Sequence, residues 1–153
     1  MLDTFEKLIL RVLQRNGRAS TQELSDAVGL SPSPCWRRVK RLEEEGFITR
    51  YAAILDGKKL GLNALAHVQV SLLDHTEASI KTFHAFVDQS DQVLECASIT
   101  GDFDFILKVA ANDPEALEQF IMQKLRRLGV VRTTTTIFIL RQIKVSGALP
   151  VEV

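Results

Sequence analysis

The residues with the clearest chemical potential are four clustered cations. Arg37, Arg38, Lys40 and Arg41 follow the stretch Ser31-Pro32-Ser33-Pro34. Pro34 suits the first turn of a helix, where its missing N–H costs nothing. On such a helix Cys35, Val39 and Leu42 share one apolar face, and Gly46 ends it. Arg37 and Arg41 then point away from that face, with Ser33 and Lys40 on one flank and Arg38 on the other. A helix that is apolar inside and cationic outside suits the major groove of a duplex, where cations meet the polyanion. The candidate contact segment therefore runs from Ser31 to Arg41, with Ser31 and Pro34 at its start. Ser33, Trp36 and Arg37 are the best placed to reach base edges. An arginine fork on guanine is worth about 1–3 kcal/mol of discrimination. Arg38, Lys40 and Arg41 suit phosphates, which set register without reading sequence. The same run also reads as a solvated helical face with Arg41 paired to Glu45 four residues on. Trp36 reads equally as an aromatic packed on a neighbouring helix.

A second constellation lies in the other half. Gly101-Asp102-Phe103-Asp104 combines a residue that allows close backbone approach with two carboxylates. One carboxylate could accept a ligand ammonium. Thr133, Thr134, Thr135 and Thr136 offer hydroxyls beside extended backbone that could bind a carboxylate. The plain alternatives are a polar β-turn for the aspartates and β propensity for the threonines. Catalysis finds little support. His67, His75 and His84 are scattered, and no HExxH, GxSxG or glycine-rich phosphate loop is present. Cys35 and Cys96 form no CxxC pattern, so two buried reduced thiols are expected and no metal site.

The elements that must position these residues are legible as periodicity. Phe5, Leu8, Ile9, Val12 and Leu13 give one buried helical face, with Asp3 as its N-cap and Asn16-Gly17 as its stop. Ser20 and Glu23 form a capping box for a second, short helix that turns Leu24, Ala27 and Val28 inward before Gly29. The cationic helix is the third. Phe47 to Ile54 has β character and suits a short strand or wing. From Ala64 the rhythm changes. Ala64 to Leu72 alternates as a strand, and Ile80, Phe83 and Val87 step as a helix. Val93 to Thr100 is strand-like, and Phe103, Phe105, Leu107 and Val109 alternate again. Asp113-Pro114-Glu115 starts a helix carrying Leu117, Phe120, Ile121, Leu125 and Leu128, which Gly129 stops. Val130 to Val145 is a long β-branched run. The order βαββαβ is the split βαβ, or ferredoxin-like, arrangement. The expected fold class is α+β: a three-helix (winged) helix-turn-helix domain over 1–55, a linker over 56–63, and a ferredoxin-like domain over 64–153.

Bulk properties agree with two modules. A hydrophobic fraction of 46% and a charged fraction of 25% describe an ordinary globular chain. No apolar run is long enough for a membrane span, and the first residues read as a helix and not as a signal peptide, so a cytoplasmic location is expected. Residues 1–60 carry 11 Lys and Arg against 8 Asp and Glu, whereas residues 61–153 carry 8 against 11. A basic front and an acidic back suggest different partners. In the last β run, Ile137, Ile139, Ile143 and Val145 share one parity, and Phe138 and Leu140 the other. Apolar residues on both faces call for cover on both sides, and a second copy of the sheet is the economical answer.

LSPSPCWRRVKRLEEEGFITRYAAIL closely resembles the recognition-helix segment of the Lrp/AsnC (leucine-responsive, feast/famine) regulators. The resemblance covers nearly the whole chain. It includes Leu2-Asp3, Ile9-Leu10 and Leu13-Gln14 to Arg18, TGDFDF at Thr100–Phe105, and QIKxxxALP at Gln142–Pro150. The sequence departs from the family pattern at Glu6, where many members have Asp, and at Trp36, where many have Leu. It also lacks a Pro between Leu128 and Gly129, which implies a shorter last loop. The resemblance implies a sequence-specific transcriptional regulator of amino-acid metabolism that binds double-stranded DNA. It implies that the second domain mediates homo-oligomers (dimer, then tetramer or octamer) and binds a small amino-acid effector, with no other cofactor. It places Gly101–Asp104 and Thr133–Thr136 in the effector site between dimers. A DNA-independent small-molecule-binding or assembly module is the contrasting expectation.

Overall fold

The computed structural model describes residues 1–152, so Val153, the end of the expected second domain, lies outside the described residues. Helix α1 (Thr4–Leu13) starts at Asp3. The Asp3 carboxylate accepts from the Glu6 N–H at 2.8 Å, and the Glu6 carboxylate accepts from the Asp3 N–H at 2.8 Å. This box satisfies two of the amides that a helix start leaves free. Ser20 and Glu23 repeat it for α2 (Thr21–Val28). That helix stops at Gly29, whose φ of +73° is a left-handed conformation that glycine adopts at little cost. Helix α3 (Pro32–Glu44) has Ser31 as N-cap and Pro32 at its first position.

Ile9, Leu24, Val28, Cys35 and Leu42 form the small core of this unit. Two expectations are corrected here. Phe5 is exposed, and the inward position near Ile9 is taken by Glu6, which is fully buried. Helix α2 turns Ser25 inward, where its hydroxyl donates to the Gln22 carbonyl at 2.8 Å, and leaves Ala27 exposed. The expected strand over Phe47–Ile54 is not formed, because no described strand lies alongside to supply ladder bonds. The tail from Lys144 onward groups with these helices. Its anchor is the Gln14 side-chain amide, which donates to the Leu149 carbonyl and accepts from the Leu149 N–H.

The second compact unit runs from Leu55 to Ile143. Its first residues form a stitched turn. The Asp56 carboxylate accepts from the N–H groups of Lys58 and Lys59, and the Gly57 carbonyl accepts from those of Leu60 and Leu62. The elements that follow are β1 (Ala64–Leu72), α4 (Glu77–Gln89), β2 (Val93–Ser98), β3 (Phe105–Ala111), α5 (Pro114–Gln119) and β4 (Val131–Phe138). Helix α5 widens into a π-helical turn over Phe120–Leu125 and tightens to 3₁₀ over Arg126–Leu128 before Gly129. The sheet order is β2-β3-β1-β4 with every pair antiparallel, which is the expected βαββαβ arrangement.

Register decides which side chains meet. Ala66, Val68 and Val70 lie opposite Val109, Leu107 and Phe105, and all six are buried. Phe83 of α4 covers them, with its ring 4.6 Å from that of Phe105. Leu117, Phe120, Ile121 and Leu125 complete the core. Two boundaries differ from expectation. β3 begins at Phe105, not Phe103, because residues 99–104 make the connecting loop. β4 ends at Phe138 because its partner β1 starts at Ala64; Ile139 N–H to the Leu65 carbonyl is the last link. Ile143 and Val145 are consequently exposed and belong to no sheet. Cys96 is also exposed, since β2 is an edge strand; only Cys35 is a buried thiol.

Because Leu107 sits at the centre of this core, Leu107→Ala should lower unfolding stability by about 2–5 kcal/mol. Lys81→Ala, at an exposed helical position, should change it by no more than about 0.5 kcal/mol. Urea unfolding at one protein concentration measures both.

Candidate functional site

Helix α3 presents its polar residues from a well-fixed base. Cys35 and Leu42 are fully buried, so the opposite face must look outward. Ser31, Ser33, Trp36 and Arg37 are exposed, and Pro34 is half-buried. Trp36 is 52% exposed, so about half of its surface is open to solvent. Arg37 takes part in no ion pair or hydrogen bond among the described residues. The other three cations are occupied. Lys40 Nζ lies 3.0 Å from Glu43 Oε2 in an exposed pair, a kind worth about 0–1 kcal/mol. Arg38 Nε and Nη2 both approach Asp3 Oδ2 at 3.3 Å, and the guanidinium lies 5.5 Å above the Phe5 ring. Arg41 Nε donates to Glu45 Oε1 at 2.8 Å, and its Nη1 lies 2.8 Å from Glu6 Oε1.

The Glu45 pairing is thus present, but it is half of Arg41's environment. The Asp3 and Glu6 contacts were not legible from the helical wheel of α3, because they come from α1. Their only sequence signal is the capping box, which brings both carboxylates to one helix end. The Asp3 carboxyl is held below its ordinary range, first by the Glu6 N–H and further by the Arg38 charge and hydrogen bond, although partial desolvation opposes this.

The second candidate site is a loop clamped to the end of β1. Gly101 has a φ of +111°, a region that favours glycine. The Asp102 carbonyl accepts from the Ser71 hydroxyl at 3.1 Å. The Asp102 carboxylate is exposed and has no partner among the described residues, and Phe103 is half-buried. Asp104 is the clamp. Its N–H donates to the Val70 carbonyl at 3.0 Å, and its Oδ2 accepts from the Leu72 N–H at 2.7 Å. Its Oδ1 lies 2.8 Å from His75 Nε2, which must carry the proton because an ionised carboxylate only accepts. The His75 bond and then the Leu72 N–H hold the Asp104 carboxyl below its ordinary range, against some desolvation.

The four threonines do not act together. Thr134 and Thr136 lie opposite Val70 and Val68, on the helix side of the sheet. They line a groove of about 580 Å³ with Leu117, Ile121, Met122 and Phe138. Thr133 and Thr135 are exposed on the open side, and Thr133 lies opposite Ser71, whose hydroxyl holds the Asp102 carbonyl. Thr133 and Thr134 are both tied by register to the aspartate loop, through Ser71 and Val70, but of the two only Thr133 stands on the open side.

Known proteins match each half in turn. Residues 2–49 match the winged helix-turn-helix DNA-binding family, and residues 65–149 match the Lrp/AsnC ligand binding domain. A helix-turn-helix joined to such a domain defines a DNA-binding transcriptional regulator with a ligand-binding module. The chain belongs to the Lrp/AsnC family of these regulators. It is 37% identical to the leucine-responsive regulatory protein of Salmonella typhimurium, over 99% of this chain and 92% of that one. Identity to the protein of the same name from Escherichia coli K12 is 36%, with the same coverage. Among solved structures it resembles a Neisseria meningitidis transcriptional regulator in complex with L-Met. The TM-score there is 0.95 at 37% identity, over 98% of this chain and 97% of that one. An AsnC family regulator from Agrobacterium tumefaciens superposes with a TM-score of 0.89 at 32% identity, with 97% of each chain covered. No described helix is long and apolar enough to cross a membrane.

The Asp104 clamp has an acid limit. Its folded carboxyl titrates below the unfolded value, so its contribution is present above the ordinary aspartate range, near pH 3.9, and is lost as pH falls through the lower folded value. Asp104→Asn should therefore lower the melting temperature at neutral pH, and its deficit against the parent protein should shrink on acidification through that window. Thermal melts between pH 3 and 7 check this.

Proposed function

We propose that this protein regulates genes of amino-acid metabolism by sequence-specific binding of α3 in the DNA major groove, and that a small amino acid bound at an oligomer interface modulates it. The observation that carries the DNA reading is the outer face of α3. Ser31, Ser33, Trp36 and the unpaired Arg37 stand exposed together at the helix start, over a buried Cys35 and Leu42. In this reading Arg37 forks onto a guanine, Ser33 and Trp36 touch neighbouring base edges, and Lys40 exchanges its weak Glu43 pair for a phosphate. Helix N-termini also favour phosphate, so Ser31 and the start of α3 can sit against the backbone.

The effector reading is supported by the ligand-binding family match and by the similar regulator solved with L-Met. Both Asp104 oxygens are engaged within the chain, so the free Asp102 carboxylate is the better partner for a ligand ammonium. Gly101 leaves room for close approach, and the Thr133 hydroxyl offers a donor for the ligand carboxylate. Oligomerisation is supported by the open side of the sheet, where Thr133, Thr135 and Ile137 are exposed. A second copy laid against this side gives the domain its missing cover. Two α3 helices on one dimer would double the phosphate contacts. The ligand then shifts the population among assemblies that present α3 differently.

Salt-dependent binding to an operator fragment selected from random duplexes tests the DNA reading. Arg37→Ala should relax preference for the selected sequence, costing about 1–3 kcal/mol on it and little on a scrambled duplex. Lys40→Ala should weaken both duplexes alike and make the salt slope shallower by about 0.9 per site. Equal effects of the two variants would contradict this division of roles, and no binding at low salt would sink the reading. For the effector, L-Met and L-Leu are the first probes in a thermal-shift assay; saturation at 100 times Kd adds about 2.7 kcal/mol. Asp102→Asn should abolish that shift while leaving the melting temperature without ligand unchanged.

A further inference from the structure

Glu6 is the one fully buried charged residue among the described residues. A lone buried carboxylate is costly, because removing the partner of a buried charge leaves it uncompensated. Glu6 is not alone. Its Oε2 accepts from the Asp3 N–H, and its Oε1 lies 2.8 Å from Arg41 Nη1. That approach is an ion pair without the alignment of a hydrogen bond, so charge is what ties the two groups. One turn earlier on α3, Arg38 meets Asp3. The four side chains and Arg37 surround a hollow of about 280 Å³ between α1 and α3.

Two ion pairs one helical turn apart constrain more than one can. Together they resist rotation of α3 about its axis and sliding along it. They also draw two of the four cations of α3 toward carboxylates. Arg41 lies between Glu6 and Glu45, so its Nη1 and Nε are both already paired with carboxylates. We propose that Glu6 is a positioning residue for DNA recognition. With Asp3 it holds α3 through Arg41 and Arg38, and these two arginines set the presentation of Arg37 instead of neutralising phosphates. This reassigns Arg38 and Arg41 from the phosphate contacts that the cationic run suggests. It rests on α3 being the helix that meets DNA.

The test uses the full chain, the selected operator fragment and a scrambled duplex of equal length, each titrated over a range of salt. Glu6→Gln keeps the size and removes the charge, which frees Arg41 to turn outward. The salt slope should become steeper by about 0.9 per site, with tighter binding to the scrambled duplex. The ratio of operator to scrambled affinity should fall about tenfold, within what one bidentate base contact supplies. A purely structural Glu6 would lower stability and leave the slope as it was. Lys40→Gln runs beside it as the control for the helix itself. If Lys40→Gln leaves the slope unchanged, α3 is not the helix on DNA and the broader reading fails. If Lys40→Gln makes the slope shallower while Glu6→Gln leaves both slope and ratio unchanged, the positioning role is overturned. Should Glu6→Gln not fold, the double variant Glu6→Gln/Arg41→Gln carries the test, because it leaves no lone charge in the core. It should keep the parent slope with a reduced ratio, whereas a slope shallower by about 0.9 would place Arg41 on a phosphate and refute the proposal.

Discussion

Strand β1 is the constraint on which the second unit depends. It pairs with β3 on one side and β4 on the other, from Ala64 to Leu72. Its inward residues, Ala66, Val68 and Val70, are fully buried. Strand side chains alternate with a period of two, so a slip of one residue would turn all three out of the core. The same register sets the chemistry at the strand's end. The Val70 carbonyl and the Leu72 N–H both bind Asp104, and the Ser71 hydroxyl binds the Asp102 carbonyl. Ser71 lies opposite Thr133 across the β4 ladder. The packing of a valine row thus decides where the aspartate loop and one threonine stand relative to each other.

The helix-turn-helix unit solves a different problem. Its core is small: five buried residues anchor three short helices. Isolated helices of this length are marginal in water, so caps and tertiary contacts carry much of the work. Asp3 and Glu6 serve both ends. They close the capping box of α1 and also meet Arg38 and Arg41 of α3. One pair of carboxylates therefore starts one helix and fixes another. Arg37, one position from Arg38, has no such partner among the described residues and stands exposed to an external ligand.

Much of the fold was legible because period and punctuation agree along the chain. The alternation from Ala64 to Leu72, the Asp113-Pro114 start and the Gly129 stop each carry a local physical cause, and each appears where those residues lie. Boundaries that depend on a neighbour were not legible. β-branched residues continue to Val145, but β4 stops at Phe138 where β1 runs out. Phe47–Ile54 has strand-forming residues and no strand to pair with. Phe5 fits the apolar period of α1 and is nevertheless exposed, while Glu6 beside it is buried. A hydropathy pattern has no way to register that an arginine from another helix will neutralise that position.

The candidate site divides along the same line. The sequence alone determined the cationic helix, its outward start at Ser33–Arg37, the glycine-aspartate loop and the family to which these segments belong. These follow from local spacing, which the helical and strand periods convert directly into faces. Tertiary structure alone decided which of those groups are free. It engages Arg38 and Arg41 with acids on α1, locks Asp104 to β1 and His75, splits the threonines between two sides of a sheet, and leaves Arg37 and Asp102 without partners among the described residues. The reason is that a charge is available to a ligand only if no closer group of the protein has already claimed it, and such groups come from distant parts of the chain.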